Sequence, residues 1–230
     1  MPTAIVTGGS RGIGRGIALR LAEDGFDMVI NDIAHQKEAI DSLVQEIQGM
    51  GKRAHGVVGD VSIQADVENI VNQVVSLFGQ LDVMVANAGV LEVTPLLEMT
   101  PEIWDRVQQS MFAVFIIATR GKAPAYFTSK RAVRGLTQTA AMEFGKYGIN
   151  VNAYCPGSVK TDMSLVFAER LAKEQGLTGV EEVYKASSHR KNALERELFP
   201  EDIAGLVSFF ASNNSNVMTG QTLICDGGKC

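Results

Sequence analysis

Tyr126 and Lys130 stand four residues apart in the stretch "GKAPAYFTSKRAVRGLTQ", at the head of a predicted helix. Side chains at positions i and i+4 share one helix face, so the phenol and the ammonium group are expected to lie side by side. This spacing suits a proton-transfer site, because a nearby positive charge favours the phenolate form of a tyrosine, whose reference pKa is about 10. Taken alone, the pair fits an ordinary surface face of a helix equally well.

The elements that must position this pair follow a repeating order of strand, turn and helix. Short strands that are apolar almost throughout alternate with amphipathic helices, which predicts a parallel sheet covered on both faces. Right-handed crossovers make such a sheet doubly wound, so we predict one α/β domain of the Rossmann type over residues 1–230. The predicted strands cover residues 3–6, 27–32, 53–60, 81–89, 149–156 and 221–228, and the predicted helices cover residues 16–24, 36–50, 65–79, 129–148 and 200–212.

A glycine-rich turn, "TGGSRGIG", joins the first predicted strand to the first predicted helix. Its glycines Gly8, Gly12 and Gly14 permit a tight turn and a close backbone approach, so that amides at the helix N-terminus can face a pyrophosphate. Ser10 and Arg11 lie inside the same turn and are candidate cofactor contacts. A tight connection that binds nothing has the same composition, but the strand–turn–helix context that a dinucleotide site needs is present.

Asp32 ends the second predicted strand and favours NAD(H) as the cofactor. A carboxylate there can accept hydrogen bonds from the adenosine ribose and repel a 2′-phosphate, although it could also serve as a helix N-cap. Arg11 favours NADP(H), since its guanidinium could pair with that phosphate, unless it is simply a solvated loop cation. We give Asp32 the greater weight, because opposing charges at a ribose hydroxyl should decide the preference by about 1 kcal/mol or more.

Charge and composition exclude several classes of function. The formal charge of −5 comes from interspersed acids and bases, whereas a nucleic-acid surface needs clustered Lys and Arg, so a small-molecule ligand is expected. The longest apolar run, residues 111–118, is far shorter than the roughly 20 residues of a membrane span. Cys155, Cys225 and Cys230 have no paired or metal-ligand spacing, and no cationic leader precedes an apolar stretch. We therefore expect a cytoplasmic protein without a metal site.

Three further motifs follow the glycine turn in order: "GDV" at 59–61, "NAG" at 87–89 and "YFTSK" at 126–130. With them the chain resembles the short-chain dehydrogenase/reductase family along nearly its whole length. The segments "AVRGLTQTAAMEFGKYGINVNAYCPGSVKTDM" and "PEDIAGLVSFFASNNSNVMTGQTLICDGG" are similar to the diacetyl (acetoin) reductases and 2,3-butanediol dehydrogenases of that family.

The resemblance implies an NAD(H)-dependent oxidoreductase that interconverts a small carbonyl compound and its alcohol, commonly as a homotetramer. Tyr126 would be the general acid/base, and Lys130 would hold the nicotinamide ribose and lower the pKa of the tyrosine. The tetramer would use the helix that bears Tyr126 and the last strand. The cofactor would be lined by Ile13, Asp60, Val61, Asn87, Ala88, Gly89, Pro156, Gly157, Val159 and Thr161.

The chain departs from the family pattern in two places. The asparagine that the family carries after "WDRV" falls on Ser110, a candidate catalytic residue because a serine could hold the same relay water. Between Arg120 and Gly121 the chain lacks a strand, typically about five or six residues long, together with the catalytic serine that follows it. Either the protein itself has lost this stretch, through altered splicing or gene prediction, or the stretch is missing from the recorded sequence.

The missing strand leaves two alternatives open. Its loss would leave neighbouring backbone groups unpaired, so the chain could instead be a catalytically impaired nucleotide-binding relative that acts as a binding or regulatory module. Residues 111–118 could also fill the vacated slot as a strand, which would bring Thr119 towards Tyr126, whereas the resemblance favours a helix there.

A polar region, residues 162–197, is predicted to form a lid over the substrate. It follows the "PGSVKT" motif and contains Gly176 and Gly179. The "MSLVF" segment at 163–167 would offer either an apolar wall to the substrate or ordinary helix packing.

Overall fold

The computed structural model describes residues 1–91, 94, 98–109, 124–188 and 192–228. Strands and helices alternate over the first four strands, as the sequence predicts. The strands are β1 (Thr3–Thr7), β2 (Asp27–Asp32), β3 (Ala54–Val58), β4 (Val83–Val85), β5 (Ala153–Pro156) and β6 (Thr222–Cys225). The helices are α1 (Gly12–Glu23), α2 (Lys37–Gly49), α3 (Gln64–Phe78), α4 (Pro101–Gln109), α5 (Pro124–Phe144), α6 (Asp162–Gln175), α7 (Val180–Ser188) and α8 (Pro200–Phe210).

The first four strands form one parallel sheet in the order β3–β2–β1–β4. The strand at its centre, β1, is buried along its whole length, which explains why its sequence is apolar without alternation. Each of the first three strands is followed by a helix that brings the chain back to the start of the next parallel strand. The carboxyl ends of all four strands therefore meet at one edge of the sheet, where a doubly wound fold places its ligands.

Helices cover both faces of this sheet. On one face α1, α2 and α8 bury Ile17, Ile40 and Ile203 in the main core. On the other face α3 packs Ile70 and Val74 against buried side chains of the first three strands. The predicted Rossmann-type α/β fold is confirmed by this arrangement.

The strands β5 and β6 pair with each other in a second parallel sheet. Within the described residues no strand pairs with β4 on its second side, nor with β5 on its second side. The two sheets nevertheless share one core, because Tyr154 of β5 packs in the same apolar cluster as Val6 of β1. Ser110, residues 111–118 and Thr119, on which the predicted replacement strand depends, lie outside the described residues.

The region predicted to be a lid contains α6 and α7. They pack on each other through Ala168, Ala172, Val183 and Tyr184, which form a small core of their own. Gly176 ends α6 in the left-handed conformation, with φ of 67°. None of the helices in the described part of the chain is long and apolar enough to cross a membrane.

Candidate active site

The glycine turn after β1 depends on the absence of side chains. Gly8 and Gly12 have φ of 59° and 55°, in the left-handed region that glycine adopts at little cost. A Cβ atom on Gly14 would overlap the carbonyl oxygen of Gly8 and would lie 2.6 Å from Nδ2 of Asn87. The backbone of the turn is therefore packed directly against the end of β4, as close ligand approach requires.

The N-terminus of α1 follows this turn directly and lies at the carboxyl ends of the strands, which we call the crevice. Arg11 is the N-cap residue in extended conformation, and its side chain makes no capping hydrogen bond. The first turn of α1 contains no acidic residue. Amides at such a helix end lack intrahelical partners and attract an anion, so this end fits the pyrophosphate of a dinucleotide. Ile13, predicted to line the cofactor, packs with its side chain against the main core below the turn.

The Asp32 carboxylate is held against the glycine turn. Its Oδ2 atom accepts hydrogen bonds from the Ser10 hydroxyl at 2.6 Å and from the Ser10 amide at 3.2 Å. Its Oδ1 atom accepts from the Ile33 amide at 2.9 Å. The next helical turn has Ile33 as its N-cap, so the alternative role of Asp32 as a helix N-cap is not the one that the structure shows.

The end of β4 is tied to the end of β1 by a network of hydrogen bonds. The Thr7 hydroxyl accepts from the amides of Asn87 and Ala88, both at 3.1 Å. The Asn87 side-chain amide donates to the carbonyl oxygens of Thr7 and Gly8, at 3.0 and 3.1 Å. The Tyr154 hydroxyl, which comes from the other sheet, donates to Oδ1 of Asn87 at 3.2 Å.

Thr7 and Tyr154 are absent from the residues that the sequence predicted for the site. Thr7 could have been found, because it opens the glycine motif and a hydroxyl at a strand end commonly binds backbone amides. Tyr154 carried only a weak signal, an aromatic hydroxyl in a buried strand, where it needs a partner. Burial raises the pKa of Tyr154 well above its usual value, so this phenol stays protonated and donates.

The end of β3 lies beside Asp32. The Gly59 amide donates to the backbone carbonyl of Asp32 at 3.1 Å. The Asp60 carboxylate accepts from the amide and the hydroxyl of Ser62, at 2.9 and 2.7 Å. Val61 packs against the core on the α3 side of the sheet. Asp32, Asp60 and Val61 therefore meet at one edge, as predicted.

The loop after β5 lies next to the glycine turn. A Cβ atom on Gly12 would lie 3.4 Å from Cγ2 of Thr161, so these two predicted residues are neighbours. Thr161 also caps α6 through a reciprocal pair of hydrogen bonds with Ser164. An open cavity separates the N-termini of α1, α6 and α8. Its lining residues are Gly12, Arg15, Gly16, Lys160, Thr161, Asp162, Pro200 and Glu201.

Three further residues of this loop, Pro156, Gly157 and Val159, are predicted to line the cofactor. Pro156 ends β5. A Cβ atom on Gly157 would come within 2.7 Å of the Asp226 backbone, so only glycine fits there without a shift. Val159 forms a parallel bridge with Leu198, which ties this loop to the end of the lid region. On the other side, Gly89 follows Ala88 at the end of β4 and is partly exposed.

The predicted proton-transfer pair belongs to α5. Tyr126 lies in the first turn of this helix, and Lys130 follows one turn later, as the spacing predicts. Lys130 is only 3% exposed, and burial lowers the pKa of its ammonium group to about 8. The side chain of Tyr126, and Ser110 as a whole, lie outside the described residues.

The predicted proton-transfer role of Tyr126 and Lys130 implies a reaction rate that falls as the pH rises through about 8. Lys130 carries its charge below its pKa and loses it above, so the positive charge that is predicted to lower the pKa of Tyr126 is lost on the alkaline side. The measurement is the rate at saturating substrate across the neutral and alkaline range. In Lys130→Arg, whose side chain stays charged, the fall near this pH should vanish even if the overall rate is lower. An unchanged profile in that variant would contradict the assignment.

The chain matches two models of known protein families. One, described as short chain dehydrogenase, covers residues 2–124, and the other, described as Enoyl-(Acyl carrier protein) reductase, covers residues 110–229. Together they extend over almost the whole sequence.

Curated relatives are similar over the same length. The L-2,3-butanediol dehydrogenase of Corynebacterium glutamicum is 38% identical, with 98% of this chain and 97% of that protein aligned. An (S)-acetoin-forming diacetyl reductase of Staphylococcus epidermidis is also 38% identical, with the same shares. The alignments extend over 252 and 253 residues, whereas this chain has 230. These relatives therefore contain residues that this chain lacks.

Solved structures share the fold. The blue fluorescent protein from a metagenomic library, in complex with NADPH, has a TM-score of 0.85 and is 31% identical. The match covers 99% of this chain and 97% of that one. A short-chain type dehydrogenase/reductase from Mycobacterium marinum gives a TM-score of 0.84 at 28% identity, covering 98% of this chain and 94% of that one.

Proposed function

Since this chain belongs to the short-chain dehydrogenase family, we propose that it is an NAD(H)-dependent oxidoreductase that interconverts a small carbonyl compound and its alcohol. The observation that carries the cofactor preference is the Asp32 carboxylate, which is fixed beside the glycine turn by three hydrogen bonds. Two similar enzymes are named diacetyl reductase and L-2,3-butanediol dehydrogenase, and these names support a vicinal diketone, hydroxyketone or diol as the substrate of this chain.

The residues around the crevice fit a dinucleotide. The glycine turn leaves the α1 N-terminus open to the pyrophosphate, and Asp32 is placed for the adenosine ribose. Asp60 and Val61 would border the adenine, and Pro156, Val159 and Thr161 would border the nicotinamide half. When bound, the cofactor supplies or accepts the hydride.

Tyr126 would supply the proton that carbonyl reduction needs at the substrate oxygen, and would remove it in the reverse reaction. Lys130 supports this role by its position on the same helix and by its burial, which makes its charge more effective than it would be in water. The family also uses a serine, which follows the strand that the sequence predicts to be missing between Arg120 and Gly121. We propose that reduction proceeds through Tyr126 and Lys130, at a rate limited by how well the substrate carbonyl is oriented.

Residues 162–197 would close over the substrate. Met163 and Val166 are 42% and 51% exposed, which supports an apolar wall for a small substrate rather than packing within the core. Lys160, in the loop before α6, contacts Glu181 of α7 at 2.9 Å and Glu197 at 3.5 Å. These ion pairs connect the cofactor loop with the far end of the proposed lid.

A homotetramer is the assembly that we propose. Exposed apolar side chains lie on α5 and β6, the elements that the family uses for assembly. They include Leu136, Met142 and Ile224, which are 48%, 87% and 57% exposed. Surfaces of this kind commonly mark contacts between protein chains.

The test has a catalytic part and a binding part. NADH oxidation should follow the addition of diacetyl or acetoin, and NADH should bind more tightly than NADPH in fluorescence titrations. Asp32→Ser should narrow that difference by about tenfold, because it removes the charge that repels the 2′-phosphate. Equal affinities in the unaltered protein would contradict the NAD(H) preference. NADH binding without turnover on any small carbonyl compound would contradict the enzymatic role and favour a binding module.

A further inference from the structure

The side chain of Ser10, within the glycine turn, contacts the Asp32 carboxylate. It is 4% exposed, and it lies between Gly8 and Gly12, the two glycines of the turn with left-handed backbone. Its hydroxyl donates to Oδ2 of Asp32 at 2.6 Å, the length of a strong hydrogen bond to a carboxylate. Its amide donates to the same oxygen at 3.2 Å. Ser10 thereby joins the turn that faces the pyrophosphate to the residue that faces the adenosine ribose.

These contacts decide which acceptor sites of the carboxylate remain. Each carboxylate oxygen has two lone pairs, and both lone pairs of Oδ2 are used by Ser10. Oδ1 accepts a hydrogen bond from the Ile33 amide. Its second lone pair accepts no hydrogen bond from the residues that the structure describes. The orientation that Ser10 imposes therefore leaves Oδ1 as the atom that can accept a ribose hydroxyl.

We propose that Ser10 is the positioning residue that sets how strongly this chain selects NAD(H) over NADP(H). It acts through Asp32, and this inference rests on the proposed NAD(H) preference. Without the Ser10 hydroxyl the carboxylate keeps only the hydrogen bonds from the Ser10 and Ile33 amides, at 3.2 and 2.9 Å. It is then held less firmly in the orientation that accepts a ribose hydroxyl and repels a 2′-phosphate.

The charge of Arg11 favours a 2′-phosphate and therefore opposes the effect of Asp32 on cofactor preference. Arg11 follows Ser10 directly and is exposed. A 2′-phosphate arriving at the same place would be attracted by this guanidinium and by any free hydroxyl. Freeing the carboxylate should therefore weaken NADH binding and at the same time relax the exclusion of NADPH.

The experiment measures the adenosine end alone, so that it does not depend on turnover. ADP-ribose and 2′-phospho-ADP-ribose are titrated by calorimetry into the unaltered protein, Ser10→Ala and Ser10→Thr. We expect Ser10→Ala to reduce the preference for ADP-ribose about tenfold, the loss corresponding to one hydrogen bond to a charged group. Ser10→Thr keeps the hydroxyl and should retain the preference. Ser212→Ala removes a hydroxyl that caps a turn after α8, and it should change neither affinity.

A double variant separates positioning from a merely structural role. In an Asp32→Ser background, Ser10→Ala should lower ADP-ribose affinity no further, because the carboxylate through which it acts is gone. Additive losses in the double variant would overturn the proposal, and so would a Ser10→Thr preference as low as that of Ser10→Ala.

The test also distinguishes the two proposals from each other. Equal binding of both ligands by the unaltered protein would contradict the NAD(H) preference itself. A strong preference that survives Ser10→Ala would contradict only the role of Ser10. Thermal unfolding of each variant without ligand identifies any variant that is poorly folded. If Ser10→Ala is poorly folded, the ligand preference of Ser10→Thr is compared with that of the unaltered protein, and a lost preference in a stable Ser10→Thr variant contradicts the role of the hydroxyl.

Discussion

The Tyr126→Phe variant is expected to reduce diacetyl at least about 100-fold more slowly than the unaltered protein, which is the usual contribution of a positioned general acid. The substitution removes only the phenolic hydroxyl, and with it the proton that the substrate oxygen must receive. The glycine turn and Asp32 are untouched, so NADH affinity should stay nearly unchanged. Steady-state NADH oxidation and a fluorescence titration of NADH measure the two quantities on the same protein.

A matched control exists at the other end of α5. Tyr147 lies in the short turn that follows this helix and is 68% exposed. Tyr147→Phe makes the same chemical change away from the crevice and should leave both quantities unaltered. Retention of more than about one tenth of the activity in Tyr126→Phe would mean that another group supplies the proton.

The second large effect is expected from Gly14→Ala, which should weaken NADH binding at least about 100-fold, equivalent to about 2.7 kcal/mol. The new methyl group would overlap the Gly8 carbonyl and approach Nδ2 of Asn87 to 2.6 Å. Both neighbours are held in place, the first by the left-handed turn and the second by two hydrogen bonds to β1. The turn must therefore move away from the position in which its amides can face the pyrophosphate.

Gly49→Ala is the control for this prediction. Gly49 is the last residue of α2, and a Cβ atom there would have nothing within 4 Å. Alanine favours the helix, so this variant should be as stable as the unaltered protein, or slightly more stable, with unchanged NADH affinity. If Gly14→Ala also kept its NADH affinity, the crevice at the N-terminus of α1 would not be the pyrophosphate site.

The structure confirms the early part of the chain most closely. The strand predicted at 27–32 is β2 with the same bounds, and its last residue, Asp32, still pairs with Val58 of β3. The predicted strand at 81–89 is shorter in the structure, where β4 ends at Val85. Beyond that point the backbone of Asn87 and Ala88 pairs with the Thr7 hydroxyl instead of with a strand. A side chain that takes backbone hydrogen bonds from a strand in this way leaves no periodic pattern in the sequence, so the end of β4 could not be predicted from it.

The helix that carries the proposed acid shows a similar limit. Its predicted start was near residue 129, whereas α5 begins at Pro124. Proline is well suited to a first helical position, because its missing N–H would have had no partner there. This signal was present in the sequence, and it places Tyr126 inside the first turn.

The parallel α/β fold, the glycine turn and the end of β2 can be inferred from the sequence, because apolar periodicity and glycine stereochemistry are local properties of the chain. The sequence also indicated that Tyr126 and Lys130 stand at the head of a helix, and the structure showed that this helix begins at Pro124 and includes both residues. Only the tertiary structure decided the direction of each polar side chain at the site. The Ser10 hydroxyl reaches Asp32, 22 positions away, and the Tyr154 hydroxyl reaches Asn87 from a second sheet, 67 positions away. Such contacts depend on which strands become neighbours and on which buried donors then lack a partner, and both are settled only when the whole core closes.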